Sequence, residues 1–270
     1  MMNRLLSWLW RPPGHPRSRW PSRLLLVRHG ESAGNVARDA AHAAGRSRID
    51  IADRDADVPL SSRGIEQSRA LGQWISQRPV SERPEILLSS PYLRARQTGE
   101  LIGEEGALLP AATSMVVDER LREREFGVLD RLTRSGIAEF YPEQAEFRAR
   151  LGKFYHRPPG GESWCDVILR LRSLVDTLSL HYPGRRVLIV GHEVVVLCLR
   201  YLLEDLDEQR ILAINAQGDM ANCGVTEYVY QDGGGATEGS LVLVRYNETA
   251  PLHEHGAPVT TAPDAKVAPR

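Results

Sequence analysis

Between Arg23 and Asn35 the chain reads Arg-Leu-Leu-Leu-Val-Arg-His-Gly-Glu-Ser-Ala-Gly-Asn, a short apolar run that stops at a cation, an imidazole and a glycine. No other stretch constrains the fold as tightly. Leu24, Leu25, Leu26 and Val27 are too few for a helix and too uniformly apolar for a surface, so they predict a strand buried on both faces, as at the centre of a parallel sheet. In open α/β sheets the crevice at the carboxyl ends of the strands takes the ligand. Arg28 and His29 therefore sit where such a sheet does its chemistry. Taken singly, Arg-His-Gly fits a solvated strand end as well; repetition further along supplies the weight.

Glu85-Ile86-Leu87-Leu88-Ser89-Ser90 predicts a second buried strand, followed by Pro91-Tyr92-Leu93-Arg94 with the proline at a first helical position. Arg94 thus joins Arg28 as a candidate anion ligand at a helix N-terminus. A third strand over Ser114 to Val117 feeds Asp118-Glu119-Arg120-Leu121-Arg122-Glu123-Arg124-Glu125-Phe126-Gly127. Alternating charges normally mark a solvated face, but Phe126-Gly127 closes this run like a buried turn, which leaves at least one carboxylate to point inward. Val187 to Val190 form a fourth buried strand that ends at Gly191-His192, with a packed helix from Glu193 to Leu203 behind it. A lone histidine on an apolar element is usually a satisfied core group. Two strands that both end in histidine are harder to assign to packing.

The remaining segments read as framework. Leu60 to Ile75 is a helix capped by Ser61 or Ser62, packing through Ile65, Leu71, Trp74 and Ile75 and ended by Pro79. Val36 to Val58 has no sustained apolar period and is expected to be an exposed loop with one helical turn, lying over the crevice. Its aspartates do not make a calcium loop, because counting from Asp53 puts Val58 where glycine is needed and Gly64 where glutamate is needed. Ser135 to Tyr155 predicts short helices broken at Pro142; with Arg148, Arg150 and Lys153 this is either a lid that grips a substrate or an ordinary amphipathic excursion. Arg157-Pro158-Pro159-Gly160-Gly161-Glu162-Ser163 opens a long helix that Pro183-Gly184 stops. Asn215 to Cys223 reads as a loop, and Val225 to Tyr230 and Leu241 to Tyr246 as antiparallel strands joined across Gly233-Gly234-Gly235. The expected organisation is a flexible leader over 1–22, one domain over 23–247, and a disordered, Ala/Pro/Thr-rich tail over 248–270 in which His253 and His255 are solvated.

A chain of 270 residues can bury one sizeable core without disulfide or metal support, and a formal charge of −1 predicts no broad nucleic-acid or membrane footprint. Cys165, Cys198 and Cys223 are odd in number and far apart, so they read as reduced packing residues in a cytoplasmic protein. Leu5 to Trp10 is too short for a signal-peptide core or a membrane span and leads into Arg11-Pro12-Pro13, consistent with a poorly ordered leader.

Two histidines, two arginines and a carboxylate with no paired ligand spacing exclude a zinc site and suit phosphoryl transfer, whose main demands are positioning and charge neutralisation. Guanidinium forks match phosphate oxygens in pairs, and an imidazole with one free nitrogen can attack phosphorus and split one difficult step into two. A protonated carboxylic acid must then supply the leaving alkoxide with a proton.

Leu-Val-Arg-His-Gly-Glu-Ser with Asn35, Ser-Pro-Tyr-Leu-Arg-Ala-Arg-Gln-Thr, Leu-Arg-Glu-Arg-Glu-Phe-Gly and Val-Gly-His, in this order, resemble the histidine phosphatase superfamily, which includes the cofactor-dependent phosphoglycerate mutases. The similarity runs from Arg23 to Tyr246, and Phe154 to Ser163 further resembles small phosphoglycerate-mutase-like proteins. The resemblance implies a three-layer αβα sandwich around a mainly parallel sheet with a helical lid insertion, and chemistry that needs no metal and no other cofactor. It implies that His29 is the nucleophile, that Arg28 and Arg94 hold the phosphoryl oxygens, that His192 completes the phosphate pocket and that Asn35 adds a neutral donor. Glu123 matches the acid in the family's Glu-Arg-x-x-Gly pattern, ahead of Glu119 and Glu125. The family's mutases follow that pattern with Gly-x-Leu-x-Gly and further basic residues. Here Gly127 is followed by Val128-Leu129-Asp130-Arg131-Leu132. The expectation is therefore a phosphomonoester hydrolase with a phosphohistidine intermediate, acting on a small or medium organic phosphate. A phosphoglycerate mutase, a phosphoprotein phosphatase and a catalytically idle phospho-ligand-binding module are the alternatives. The expected partner is a phosphorylated small molecule, with no nucleic acid and no integral membrane segment, and a homodimer is left open.

Overall fold

The computed structural model describes residues 19–108, 115–233 and 239–261. In chain order the strands are β1 (Arg23–Arg28), β2 (Ile86–Ser89), β3 (Val116–Val117), β4 (Arg186–Gly191), β5 (Val225–Gln231) and β6 (Ser240–Glu248). They form one sheet in the order β3-β2-β4-β1-β5-β6, parallel from β3 to β1 and antiparallel where β5 and β6 join. The helices are α1 (Ala33–Ala43), α2 (Ser62–Gln77), α3 (Leu93–Glu105), α4 (Arg134–Phe140), α5 (Pro142–Tyr155), α6 (Trp164–His181), α7 (Glu193–Leu203), α8 (Glu208–Gln217) and α9 (Ala250–Glu254).

The alternation of side chains along the central strands makes the three layers. Leu24, Leu26, Val187 and Ile189 pack into one core with α6, α7 and α8, while Leu25, Val27, Leu188 and Val190 pack into another with α2, α3 and α9. Leu24 to Val27 are fully buried, each stabilising the fold by roughly 1.5–3 kcal/mol, so this run has no alternative to the middle of a sandwich. The expected αβα architecture with its mainly parallel sheet is what forms. A small separate cluster of Leu129, Leu132 and Ile137 holds the lid region that carries α4. Among the described residues no helix is long and apolar enough to cross a membrane.

Register brings the strand ends into line. Arg28 of β1 lies opposite Gly191 of β4, and Ser89 of β2 lies opposite Val190, so His29, His192 and Ser90 emerge side by side. The strands that supply them are sequence-distant but adjacent in the sheet.

Several expectations need correction. Of the segment from Val36 to Val58 only the part after Ala43 is loop: α1 begins at Ala33 and runs to Ala43, started by a capping box in which Ser32 Oγ accepts from Asn35 N and Asn35 Oδ1 accepts from Ser32 N. Its inward residues are Asn35, Arg38 and Ala41, a polar face with no apolar period to detect. Pro91 precedes the helix start by two residues, because Ser90 Oγ accepts from Tyr92 N and holds a turn before Leu93. Ile65 of α2 faces outward, at 38 % exposure, and the helix buries Gln67, Ser68, Leu71 and Ile75 instead. Asn215 to Gln217 close α8, which Asp207 caps, leaving only the remainder of that stretch as loop.

The tail also departs from expectation as far as it is described. Residues 249–261 return over the molecule: α9 buries Pro251 and Leu252, and Gln67 Nε2 donates to the Pro258 carbonyl and to Thr260 Oγ1. Thr260 in turn accepts from Asn222 N and donates to Asn222 Oδ1. At the other end Trp20 packs against the α6 side of the core and its carbonyl accepts from Gly184 N, so residues before Arg23 are part of the fold. The first 18 residues, Ser114, Gly234-Gly235 and the tail from 262 lie outside the described residues.

Candidate active site

His29 follows β1 directly. Its backbone N–H donates to Gly191 O at 2.9 Å and its carbonyl accepts from Asn222 Nδ2 at 3.1 Å, which ties the residue to β4 and to the turn before β5. The ring stands 2.7 Å through Nδ1 from the Gly30 carbonyl. A carbonyl can only accept, so Nδ1 carries the proton and Nε2 keeps its lone pair. Burial, reinforced by Arg94, Arg28 and Arg38, holds the imidazole well below the usual histidine pKa, so the ring is neutral at neutral pH. A neutral ring with a free Nε2 is the nucleophilic form.

Arg94, in the first turn of α3, donates from Nε to His29 Nε2 at 3.3 Å and lies over the Tyr92 ring at 5.0 Å. Its remaining nitrogens grip Asp55: Nη1 donates to the Asp55 carbonyl at 2.6 Å and to Oδ1 at 3.0 Å, and Nη2 to Oδ2 at 3.3 Å. A carboxylate from the loop after α1 thus occupies the fork that matches a phosphoryl group. Arg28 is fully buried, donates to the Met220 carbonyl and stands 3.6 Å from Glu193, outside the lining of the cavity. It acts on His29 as a nearby positive charge.

His192, at the start of α7, is fully buried with its ring 5.1 Å from that of His29 and 5.2 Å from that of Tyr92. Its Nε2 is 2.8 Å from Ser90 Oγ and its Nδ1 is 3.4 Å from Glu123 Oε2. Burial, then Arg94 and His29, lower its pKa well below the ordinary value. Glu123, 5 % exposed, lines the same cavity as His29. Of its neighbours, Glu119 is exposed and outside the cavity, and Glu125, also exposed, accepts from Tyr92 OH at 2.8 Å. The structure therefore brings Glu123, and neither alternative carboxylate, to the cavity.

The loop that carries Glu123 is pinned from α6. Arg170 donates to the carbonyls of Arg120, Arg122 and Glu123 and to both oxygens of Glu162, whose Oε1 also accepts from Arg122 and whose Oε2 accepts from Glu125 N. The turn ends at Gly127, at φ 56°, where a Cβ would lie 2.1 Å from the Pro159 carbonyl. Only glycine lets the acid loop and the Pro158-Pro159-Gly160 turn approach this closely.

Asn35 and Arg38 project from α1 into a cavity of about 120 Å³ shared with His29, Arg94 and Glu123. The capping box uses Asn35 Oδ1, so the amide nitrogen is what Asn35 offers a ligand. Arg38 was missed by sequence reasoning; the Ser32-x-x-Asn35 cap, which would have announced a helix with Arg38 one turn on, was the available signal. Asp55, Ser90, Tyr92, Asn222 and Arg170 carry no signal of their own, because each acquires its place through a partner distant in sequence. The lid cations do not reach the cavity. Arg150 is exposed beside Glu146, Lys153 lies over the Trp164 ring and donates to Asn215, and Arg148 is buried with its pKa lowered to about 10 by loss of water and by Arg124.

Known proteins share the fold. A solved mycobacterial glucosyl-3-phosphoglycerate phosphatase, in complex with inorganic phosphate, superposes with a TM-score of 0.64 at 25 % identity over 85 % of this chain and 99 % of that one. An alpha-ribazole phosphatase from Shigella flexneri shares the fold at 20 % identity and a TM-score of 0.63, covering 84 % of this chain and 96 % of that one. The curated protein "Probable phosphoglycerate mutase GpmB" of Yersinia pestis (strain Pestoides F) is 28 % identical over 209 residues, 77 % of this chain and 84 % of that protein. The model of the histidine phosphatase superfamily (branch 1) matches residues 24–240, and the chain belongs to that superfamily.

Proposed function

We propose that the protein is a phosphomonoester hydrolase that works through a phosphohistidine at His29 on a small or medium organic phosphate. The observation that carries this reading is the committed Nδ1 of His29, which leaves Nε2 as an unprotonated nucleophile beside Arg94 with Glu123 in the same cavity. A module that only binds phosphate needs the guanidinium group but neither a tautomer-locked imidazole nor an enclosed carboxyl.

In the first step His29 Nε2 attacks phosphorus, the bond to the ester oxygen breaks, and the Glu123 carboxyl gives its proton to the leaving alkoxide. Arg94, Asn35 and the charge of Arg28 stabilise the phosphoryl oxygens, and His192, with its ring 5.1 Å from that of His29 and its Nδ1 3.4 Å from Glu123, positions both groups. In the second step the Glu123 carboxylate takes a proton from water, the water oxygen attacks phosphorus and the N–P bond breaks, returning neutral His29 and inorganic phosphate. Hydrolysis is favoured over mutation by the lid, whose cations turn away from the cavity and cannot retain a second anionic group for return transfer. The glucosyl-3-phosphoglycerate phosphatase similarity points the same way, and the mutase-named relative points to the alternative.

The test is an alkaline quench of the protein turning over p-nitrophenyl phosphate, followed by peptide mapping. An acid-labile phosphoryl group on His29, absent in His29→Asn together with turnover, is the expected result. A His29→Asn protein that keeps its rate would overturn the proposal, and rapid isomerisation of 3-phosphoglycerate primed with a bisphosphoglycerate would favour the mutase reading.

A further inference from the structure

Beyond His29 and Arg94 the cavity changes character. Ile49, Ile51, Val58, Leu129, Leu132 and Ile137 line it, of which Val58, Leu129, Leu132 and Ile137 are at most 5 % exposed. Apart from Asp55, whose carboxylate is paired with Arg94, the acidic groups on this wall are Asp53 and Asp130. The cation beside them, Arg131, has its Nη groups committed to the carbonyls of Ile51 and Asp53 and its Nε 3.8 Å from Asp130. Arg38 belongs to the other end, where its charge bears on His29. Loss of water and the neighbouring Asp55 carboxylate raise the Asp130 pKa, as expected of like charges gathered around a partly enclosed space.

From this division we infer that the site selects phosphomonoesters whose leaving group is an uncharged, largely apolar body, and that Asp53 and Asp130 reject leaving groups bearing a second anion. The inference rests on the phosphohistidine reading above and goes beyond it by naming the substrate class. The phosphoryl end is built from guanidinium and imidazole groups and accepts the dianion. The far end offers methyl and methylene surface to a hydrocarbon or deoxygenated body, and carboxylates that repel a glycerate, a second phosphate or an acidic peptide. Hydroxyl groups on such a body are acceptable there, since Asp53 and Asp130 can take their protons as hydrogen bonds. A charged carboxylate would face Asp53 and Asp130 there, while the Arg131 guanidinium is held to the loop by the Ile51 and Asp53 carbonyls with Asp130 3.8 Å from its Nε.

Alkyl phosphates with matched leaving-group basicity test this directly. Wild-type protein is assayed with ethyl, hexyl and 5-carboxypentyl phosphate, and the same set is run on Asp130→Asn, Asp53→Asn and the double variant. The asparagine side chain keeps the acceptor that Asp130 Oδ1 presents to Arg131 N, so the turn is retained. Expected is a kcat/KM at least about tenfold higher for hexyl than for ethyl phosphate, since each buried methylene is worth roughly threefold to fourfold and the two esters differ by four of them. The carboxylated ester is expected to fall roughly tenfold below hexyl phosphate, a value discounted for the solvent that reaches these aspartates. In the double variant that gap is expected to shrink while the rate with hexyl phosphate holds. Equal rates for hexyl and 5-carboxypentyl phosphate, or a gap that the double variant leaves unchanged, overturn the inference and leave the phosphatase reading intact. Absence of phosphohistidine with every ester removes that reading and the inference together.

Discussion

Asp55 is the residue whose replacement tests the electrostatics of the site most sharply. Its carboxylate holds both Nη groups of Arg94, so an incoming phosphoryl group has to displace an anion already in place. Asp55→Asn removes that charge and preserves the backbone carbonyl to which Arg94 Nη1 donates at 2.6 Å, so the guanidinium stays near its position. The Asp55 side chain is 40 % exposed and that of Arg94 is 6 % exposed, which places the pair between a solvent-screened ion pair and an enclosed charge-assisted one. An intermediate value of about 1 kcal/mol follows, equivalent to roughly fivefold in an equilibrium constant. Inhibition of p-nitrophenyl phosphate hydrolysis by inorganic phosphate measures it without knowledge of the natural substrate. The inhibition constant is expected to fall about fivefold in Asp55→Asn and to stay near the wild-type value in Asp55→Glu, which restores the charge. Unchanged or weaker phosphate inhibition in Asp55→Asn would refute the claim that the loop carboxylate and the phosphoryl group compete for one fork.

Two further outcomes follow from the buried imidazoles and the acid-loop turn. Burial with nearby arginines depresses His29 and His192 well below the ordinary histidine pKa and, with Arg148 and Arg124 as neighbours, His156 to about 4. The unfolded chain therefore binds more protons than the native one on the acid side, so stability is full above about pH 6.5 and declines as pH falls toward the folded values. Urea midpoints should drop on acidification from about pH 7 to 5, with the His29 and His192 ring resonances unshifted near pH 6; a flat midpoint or a His29 titration near pH 6.5 would contradict this. Gly127→Ala puts a side chain at φ 56° and 2.1 Å from the Pro159 carbonyl. It should cost at least ~2 kcal/mol and lower the melting temperature by about 5 °C or more, read by calorimetry, and a loss under about 1 °C would show that the two turns separate freely.

The candidate site was legible because it sits at the ends of contiguous apolar runs. Leu24 to Val27 and Val187 to Val190 have no option but the middle of the sheet, and whatever follows them has to emerge at its carboxyl edge. His29 and His192 could be placed on that edge from the sequence, and Arg94 beside it; the Glu-Arg-x-x-Gly resemblance singled out Glu123 from the charged run. Where the buried face of an element is polar, the same reasoning fails. The helix α1 turns Asn35 and Arg38 inward, so its periodicity is carried by groups that a hydrophobic pattern does not count.

Other features have no local cause at all. The tail from Thr249 is ordered by hydrogen bonds from Gln67 and Asn222, residues that nothing in an Ala/Pro/Thr-rich stretch announces. The lid cations were visible as charges, and only packing decided that Lys153 lies on Trp164 and that Arg148 is buried away from the cavity. The sequence by itself determined the buried strands and which side chains stand at their carboxyl ends, because contiguous apolar residues have to be buried and whatever follows them emerges at the sheet edge. Tertiary structure alone decided which carboxylate holds Arg94, which arginine pins the acid loop and what lines the far wall of the cavity. Those pairings depend on distances between segments, and a one-dimensional pattern contains none of them.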